Sequence, residues 1–235
     1  PYYRYQCKRP TSNDDYYETF NRPNVKLLDV SGSQGVERMT ASGFVVNGVE
    51  YGTDCMIFAS GYEVTSDLDR RWGFDCFEGR NGFSMYDNWK GQYRTLHGVM
   101  THGFPNLFII GLNQGGLNST LTLNFETQSR HIAYIIGQAL ERGAVSVEAG
   151  EDAQDAYVRH LRETAVDRTA WIHDCTPGYF NNEGKPDVDE DGNEKYRFYL
   201  GEVYGPGWDA FMKLLENWRS RDDLEGLVLT AGENS

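Results

Sequence analysis

The sequence is short of basic residues. It has 235 residues, with 22 lysines and arginines against 35 aspartates and glutamates, which gives a formal net charge of −13. A nucleic-acid-binding protein needs a basic face to neutralise phosphates, and a protein that docks on anionic lipid needs one as well. The acidic balance therefore argues against nucleic-acid partners and against a membrane surface.

Long hydrophobic runs and paired cysteines are also missing. No apolar run approaches the roughly 20 residues of a membrane-spanning helix, and residues 1–5 do not resemble a signal peptide. The four cysteines are Cys7, Cys55, Cys76 and Cys175. They form no C-x-x-C pair, so we expect four ordinary thiols and neither a zinc site nor a redox dithiol. This usage fits the reducing environment of the cytoplasm.

The usual sequence fingerprints of cofactor binding and catalysis are absent. There is no G-x-G-x-x-G, no G-x-x-x-x-G-K-[ST] and no G-x-S-x-G, and the glycine-rich stretch 111–116 has the wrong spacing. The five histidines show no metal or triad pattern, so we expect structural roles for them and no metal site. A chain of this kind is not expected to hold a dinucleotide alone. We expect half of the parts needed to bind such a cofactor to lie outside this chain.

Short extended segments dominate the first quarter. Residues 24–30 form one predicted strand, bounded by proline and by a serine–glycine turn. Three more extended runs follow at 36–40, 44–47 and 49–51. The Asn47-Gly48 pair between the last two is the strongest short hairpin signal. These runs predict a small antiparallel meander.

Two later runs are apolar without alternation. They lie within residues 54–62 and 106–111, and each ends in a small-residue turn. A strand that is covered on both faces, as in a parallel α/β sheet, has this pattern. The two runs therefore predict a sheet with helices on both faces.

Helical periodicity becomes strong in the second half. Apolar residues recur at near-helical spacing over 124–142, 151–165 and 208–218, and residues 227–229 predict a last strand. The acidic stretch 187–194 lacks the oxygen-ligand spacing of a calcium loop, so a solvated turn is expected there.

Four stretches together match the pattern of one enzyme family. They are Cys7-Lys8-Arg9-Pro10 followed by residues 16–25, the D-x(4)-A-S-G-Y stretch of 54–62, the G-F-P-N-L-F stretch of 103–108, and Asn181 with Gly184-Lys185-Pro186. With them the chain resembles the C-terminal portion of type I Baeyer–Villiger monooxygenases, which depend on FAD and NADPH. The matches occur in the family order over nearly the whole chain.

The resemblance implies an α/β fold, as the C-terminal part of a flavoprotein with two Rossmann-like dinucleotide-binding domains. Residues 1–58 would finish the NADP(H)-binding domain. Residues 59–235 would complete the FAD-binding domain and carry the loop that contacts substrate and cofactor. Members of the family are longer, so the implied partner is an N-terminal segment of the same enzyme that carries the cofactor fingerprints.

The implied reaction inserts one oxygen atom from O2 next to a ketone carbonyl and gives an ester or lactone. Arg9 matches the active arginine of the family. A fixed guanidinium suits this role because it stabilises the negative oxygen that develops when the carbonyl is attacked. The oxygen chemistry itself belongs to the flavin, while the protein orients the reactants and excludes water.

The resemblance also implies a set of cofactor-binding residues. Cys7 and Lys8 match positions beside the NADPH phosphates or ribose. The remaining positions are Ala59, Ser60 and Gly61 in a turn near the flavin, Thr120 and Leu121 beside the isoalloxazine ring, and Thr176 and Asn181 in the late loop. Some members place a tryptophan where Thr176 stands, so Thr176 implies a roomier pocket for bulky ketones.

Two other functions stay open at this point. A heteroatom-oxidising flavin monooxygenase shares the turn that links the two domains. A non-catalytic chain that acts as a folded interaction module is the other alternative. The Lys8-Arg9 pair favours the Baeyer–Villiger enzyme over the heteroatom-oxidising one, and the intact mass of the protein would test the non-catalytic alternative.

Overall fold

The chain folds into two compact units. The computed structural model describes residues 7–8, 11–33, 35–61, 73–89, 93–112, 114–167, 170–171, 174–175, 187–188, 194–195 and 203–232. One unit is Lys8–Tyr62, and the other combines Pro1–Cys7 with Glu63–Ser235. Each unit is built around its own elements.

The smaller unit contains the predicted meander. Its elements are the short helix α1 (Tyr16–Thr19) and the strands β1 (Arg38–Met39), β2 (Gly43–Val46) and β3 (Val49–Gly52). The strands pair antiparallel in the order β1-β2-β3. Asn47 and Gly48 form the tight turn with φ of 51° and 72°, the left-handed values that a two-residue hairpin requires. A side chain at Gly43 would lie 1.9 Å from the Tyr51 carbonyl oxygen, so only glycine fits there.

Three predicted strands are not present as strands. The structure places residues 24–30, 106–111 and the described part of 54–62 outside any helix or strand. Ile57 and Phe58 are 86% and 76% exposed, the opposite of a strand covered on both faces. A strand exists only when a neighbour pairs with its backbone in a ladder. Residues 106–111 make single backbone bonds, from the Asn106 N–H to the Val147 carbonyl and from the Ile109 N–H to the Val99 carbonyl, and the described residues show no ladder for any of the three segments. These predictions are therefore wrong for this chain by itself.

The larger unit is mainly helical. Its helices are α2 (Met85–Asn88), α3 (Leu121–Glu141), α4 (Glu151–Glu163) and α5 (Trp208–Arg221), and its strands are β4 (Ala144–Ala149), β5 (Asp187–Val188), β6 (Glu194–Lys195) and β7 (Leu227–Ala231). The three helices predicted from periodicity are confirmed. The structure starts α3 three residues earlier and ends α5 three residues later than the sequence indicated. Gly143 ends α3 with a positive φ of 69°, as a helix C-terminus favours.

The core of this unit lies between the helices and one antiparallel strand pair. β4 pairs with β7, and Val147 lies opposite Leu229. The main buried side chains are Ile135, Leu161, Phe211, Leu215 and Trp218. The last strand was predicted correctly, whereas its partner β4 was not identified from the sequence. Apolar side chains from α3, α4 and α5 meet in one cluster, which fixes the long helix α3 and the loop before it.

Two short paired strands, β5 and β6, lie at the two ends of the acidic stretch near residue 190. Asp187 lies opposite Lys195, and Val188 lies opposite Glu194. Over the described part of the chain, no three histidine, cysteine or carboxylate side chains come together in a way that would hold a metal ion. The helices described here include none that is both long and apolar enough to span a bilayer.

Candidate functional site

A disulfide joins two of the segments that the sequence marked as functional. Cys7 is bonded to Cys175, 168 residues away, with the two Cα atoms 5.3 Å apart. The expectation of four ordinary thiols is therefore wrong for this pair, while Cys55 and Cys76 are free and exposed. Pairing over such a distance leaves no local signal, because the connectivity of cysteines cannot be deduced from their spacing.

Four of the proposed cofactor residues belong to the smaller unit. Lys8 is partly buried, whereas Ala59, Ser60 and Gly61 are exposed and lie outside helix and strand. Gly61 has a φ of 88°, a conformation that glycine adopts without strain. The chain thus turns at Gly61 with its backbone open to a ligand or to another segment.

Three predicted site residues lie outside the described part of the chain. They are Arg9, Thr176 and Asn181. Their roles stay predictions. Two of them are next to a described residue in the sequence, because Arg9 follows Lys8 and Thr176 follows Cys175.

Thr120 and Leu121 stand at the start of the long helix α3. Thr120 is the residue before the helix, and neither its side chain nor any acidic side chain of the first turn caps the described N-terminus. The preceding loop is held by Asn124, whose amide accepts from the Asn118 backbone N–H at 3.0 Å and donates to the Asn118 carbonyl at 3.0 Å. The first N–H groups of a helix carry a partial positive charge. This end of α3 suits an electron-rich or anionic group.

The glycine-rich loop before α3 is fixed by a buried glutamine. Gln114 is fully buried with a left-handed φ of 51°. Its amide oxygen accepts from the Thr95 backbone N–H at 2.7 Å and from the Thr95 hydroxyl at 2.9 Å, and its amide nitrogen donates to the Tyr93 carbonyl at 2.7 Å. The Tyr157 hydroxyl donates to the Gln114 carbonyl at 2.6 Å, and burial raises the pKa of Tyr157 so that it stays a donor.

Two further buried glutamines hold the neighbouring backbone. Gln128 on α3 accepts from the Gly111 N–H at 3.0 Å and donates to the Gly111 carbonyl at 2.8 Å. Gln154 on α4 accepts from the His102 N–H at 2.8 Å. The segment around residues 93–112 lacks strand neighbours, so side-chain amides satisfy backbone groups that a sheet would otherwise pair. The sequence analysis identified none of the three glutamines. For Gln128 and Gln154 the available signal was a glutamine within the apolar face of a helix, whereas Gln114 lies in a loop and gave no such signal.

We expect Gln114→Leu to destabilise the larger unit by about 3 kcal/mol, because three buried polar groups lose their partners. The measurement is the free energy of unfolding from urea titration. Gln138→Leu serves as the control, since Gln138 contacts surface side chains only on its own helix. We expect a change below about 0.5 kcal/mol there. Equal effects of the two substitutions would contradict the role assigned to Gln114.

Two histidines form a buried pair in the core. His97 Nδ1 and His131 Nε2 are 3.2 Å apart, and Arg219 Nη1 lies 3.5 Å from His131 Nδ1. Arginine has only donors, so His131 Nδ1 accepts, and its Nε2–H is donated to His97. Burial lowers the pKa of His97 to about 3, with smaller contributions from Arg221 and Arg219. Burial lowers the pKa of His131 to about 2, with contributions from His97 and Arg219.

A surface cavity of about 620 Å³ lies elsewhere on the larger unit. It is lined by Phe77, Glu78, Gly79, Arg80, Phe104, Pro105, Asn106 and Leu107. Its arginine is already engaged, because Arg80 donates to Glu148 at 2.6 Å. None of the sequence-predicted site residues lines this cavity, so it is not the candidate site.

Comparison with known proteins gives a consistent result. No family model matches the chain. It is 43% identical to pentalenolactone D synthase from Streptomyces arenae over 231 residues, which are 97% of the chain and 38% of that protein. It is 38% identical to an FAD-binding monooxygenase from Hypomyces subiculosus and 39% identical to a Baeyer–Villiger monooxygenase from Streptomyces coelicolor. Those matches cover 98% and 95% of the chain and 36% of each relative.

Solved structures show the same relationship. The polycyclic ketone monooxygenase from Thermothelomyces thermophila superposes with a TM-score of 0.83 at 32% identity, covering 97% of this chain and 36% of that one. A cyclohexanone monooxygenase from Rhodococcus bound to NADP+ superposes with a TM-score of 0.70 at 26% identity, covering 96% and 39%. The chain spans well under half the length of the relatives it matches. By sequence and by fold, the chain is similar to the C-terminal portion of Baeyer–Villiger monooxygenases.

Proposed function

We propose that the complete protein is an FAD- and NADPH-dependent Baeyer–Villiger monooxygenase, which inserts one oxygen atom from O2 next to a ketone carbonyl. The observation that carries the proposal is the likeness over 97% of the chain to a polycyclic ketone monooxygenase, at a TM-score of 0.83. The Lys8-Arg9 pair supports it over heteroatom oxidation, because a guanidinium is suited to the oxygen anion of carbonyl attack. The proposed use of NADPH supports a cytoplasmic location.

The start of α3 fits a flavin. Its uncapped N-terminus, without acidic side chains in the first turn, suits the electron-rich oxygen of a flavin ring. Thr120 and Leu121 would hold the ring there. In the smaller unit, Ala59, Ser60 and Gly61 are the proposed cofactor-binding residues. FAD, when bound, supplies the activation of oxygen. The asparagine and glutamine contacts before α3 keep this loop in place.

The other proposed roles belong to the chain's own polar residues. Lys8 binds the NADPH phosphates as a mobile point charge, and Arg9 stabilises the negative oxygen on the substrate as a planar donor fork. Thr176 and Asn181 orient ketone and cofactor from the late loop. We propose residues 1–58 as the end of the NADP(H)-binding domain and 59–235 as the end of the FAD-binding domain. The end of the compact unit at Tyr62 supports a boundary near residue 58, whereas Pro1–Cys7 cluster with the larger unit.

The exposed apolar segments indicate where the rest of the enzyme binds. Ile57, Phe58 and Ile110 are 86%, 76% and 51% exposed, and all three lie outside the helices and strands of the described residues. Exposed apolar surface of this kind marks an interaction site. We propose that the other part of the enzyme, on the N-terminal side in its relatives, supplies the sheet neighbours that cover them.

We expect the chain of residues 1–235 to retain no flavin when it is purified alone, because it contains no dinucleotide fingerprint. The measurement is the visible absorption spectrum after free flavin has been removed. The complete enzyme treated in the same way is the control and should keep its flavin. Stoichiometric flavin in the isolated chain would contradict the expectation.

The function itself is tested by turnover of the complete enzyme. With NADPH and 18O2, a polycyclic ketone should give an ester or lactone that carries one labelled oxygen atom, seen as a mass shift. A thioether supplied in parallel tests the alternative reaction. Sulfoxide formation without any ester would favour the heteroatom-oxidising enzyme and overturn the proposal.

A further inference from the structure

A buried asparagine stands in the first turn of α3. Asn124 is 2% exposed, and it shares the buried side of the helix with the polar residues Thr127, Gln128 and His131. Asparagine is a weak helix former, and a buried amide costs free energy unless its polar atoms form hydrogen bonds. An asparagine at this position therefore depends on specific partners.

Asn124 bonds both polar groups of a single backbone residue. Its amide oxygen accepts from the Asn118 N–H at 3.0 Å, and its amide nitrogen donates to the Asn118 carbonyl at 3.0 Å. The Asn118 side chain in turn accepts from the Thr120 N–H at 2.9 Å. These contacts fix residues 118–120 against the first turn of the helix that follows them.

The loop before α3 is anchored in two separate parts. Residues 114–116 are held by the core, where the Tyr204 N–H donates to the Gly115 carbonyl at 3.0 Å and a side chain at Gly116 would lie 2.6 Å from Phe211. Residues 119 and 120 are exposed. Over the described part of the chain, the side chain of Asn124 is the only one from outside residues 118–120 that forms hydrogen bonds with their backbone. The second part of the loop therefore depends on this one side chain.

Two backbone N–H groups at the start of α3 are open. The third and fourth residues of the helix donate to the Thr120 carbonyl at 3.1 and 3.3 Å. The Thr120 side chain caps no N–H group, and the first turn has no acidic side chain. The N–H groups of Leu121 and Thr122 thus have no acceptor among the described residues, and they carry part of the positive end of the helix dipole. Their direction depends on how the chain enters the helix.

We propose that Asn124 is a positioning residue for the flavin, which fixes the chain at its entry into α3 so that the open N–H groups raise the reduction potential of the bound ring. This inference rests on the proposed function, which places the flavin beside Thr120 and Leu121. Reduction adds negative charge to the ring, and a positive potential beside the ring favours the reduced form. The effect of Asn124 passes through the backbone of Asn118.

The midpoint potential of the flavin in the complete enzyme is the decisive readout. Asn124→Leu is similar in size and removes both bonds to Asn118. We expect reduced flavin to be bound about tenfold less tightly relative to oxidised flavin, which lowers the two-electron potential by about 30 mV. Asn124→Ser is a second, milder variant, because its small hydroxyl leaves room for water to satisfy the Asn118 groups. It should shift the potential in the same direction.

Gln154→Leu is the matched control for the loss of a buried amide. Gln154 on α4 is 2% exposed, and it accepts from the His102 N–H at 2.8 Å and from the Thr101 hydroxyl at 3.1 Å. Its loss should destabilise the larger unit without moving residues 118–120, so we expect the wild-type potential. An unchanged potential in both Asn124 variants would overturn the inference. An equal shift in Gln154→Leu would overturn it too, because the shift would then follow from destabilisation alone.

Hydrogen–deuterium exchange tests the anchor independently of the flavin. In the complete enzyme, a peptide of residues 117–121 contains the bonded N–H groups of Asn118 and Thr120, and it should exchange about tenfold faster in both Asn124 variants. The Thr95 N–H, which is bonded in the core, should keep its rate. Complete enzyme that retains no flavin would overturn the proposed function. Faster exchange would still support the anchor in that case, and an unchanged rate over residues 117–121 would overturn it.

Discussion

In the complete enzyme, Arg9→Ala is expected to lower kcat for ketone oxidation about a hundred- to a thousandfold while FAD stays bound. Removal of one group that stabilises a transition-state oxyanion costs about 2.7–4 kcal/mol. An arginine carries a full charge, and a planar fork of donors can serve two oxygen atoms at once. Arg9→Lys should restore little of the rate, because a point charge does not replace the planar fork.

Lys8→Ala is the matched control for this prediction, since it removes the neighbouring cation. If Lys8 binds the NADPH phosphates, the KM for NADPH should rise while kcat changes much less, the pattern of lost uniform binding. The flavin spectrum of each variant shows that the fold and the cofactor are intact. Near-normal ketone turnover in Arg9→Ala, or equal losses of kcat at both positions, would contradict the assigned roles.

Elements with local signals could be predicted from the sequence. The meander follows from the Asn47-Gly48 turn, and α3 and α4 follow from apolar spacing with a glycine or acidic residues at their ends. In these elements the hydrogen bonds form within the segment or with the next one along the chain. Local composition therefore carries nearly all of the information needed.

Elements that depend on distant partners could not be predicted. The apolar runs at 54–62 and 106–111 have the pattern of buried strands, yet Ile57 is 86% exposed here. Such a pattern is typical of a strand with neighbours on both sides in a sheet, and this chain spans only part of the length of the relatives it matches. The same physical reason explains the β4–β7 pair, whose strands are nearly 80 residues apart in the sequence.

The sequence motifs indicate which residues belong to the candidate site, but they do not predict the contacts that these residues and their neighbours make. Resemblance assigned Cys7 to the cofactor, whereas the structure bonds it to Cys175. Gln114 was not identified, because its role is to satisfy the backbone of Thr95 and Tyr93 from a loop. Such roles arise only when the tertiary structure leaves a backbone group without a strand neighbour.

The second large effect concerns pH and the His97–His131 pair. We expect the larger unit to lose about 4 kcal/mol of stability between pH 8 and pH 5. Both histidines have an ordinary pKa near 6.5, and the fold lowers the pKa of His97 to about 3 and that of His131 to about 2. Below pH 6.5 the two histidines therefore bind protons in the unfolded state, whereas they stay neutral in the folded core. Each histidine contributes about 2 kcal/mol at pH 5.

The sign follows from the direction of the two shifts. The stabilising contribution is fully present above pH 6.5, where the histidines are neutral in both states. It is lost progressively as the pH falls from 6.5 toward about 3. Trp218 packs edge-on against both imidazole rings, with centroids 5.4 Å from His97 and 5.1 Å from His131. Arg219 and Arg221 add positive charge nearby. None of these neighbouring groups carries a negative charge that would stabilise a protonated imidazole.

Hydrogen–deuterium exchange of peptides from α3 in the complete protein measures this loss directly. After correction for the intrinsic pH dependence of exchange, protection should fall about a thousandfold between pH 8 and pH 5, which corresponds to about 4 kcal/mol. Peptides from β2 and β3 provide an internal control, because residues 8–62 contain no histidine. Their protection should stay nearly constant over this range.

The substitution His131→Gln separates the histidine pair from the general effect of protonating carboxylates. A glutamine amide can still accept from Arg219 and donate to His97, but it does not titrate. The loss of protection in α3 between pH 8 and pH 5 should therefore shrink to about thirtyfold, the share of one histidine. Protection at pH 8 should change little, since the pair is neutral there. A thousandfold loss in the variant would show that other groups take up the protons, because the only change is the removal of one imidazole from the core.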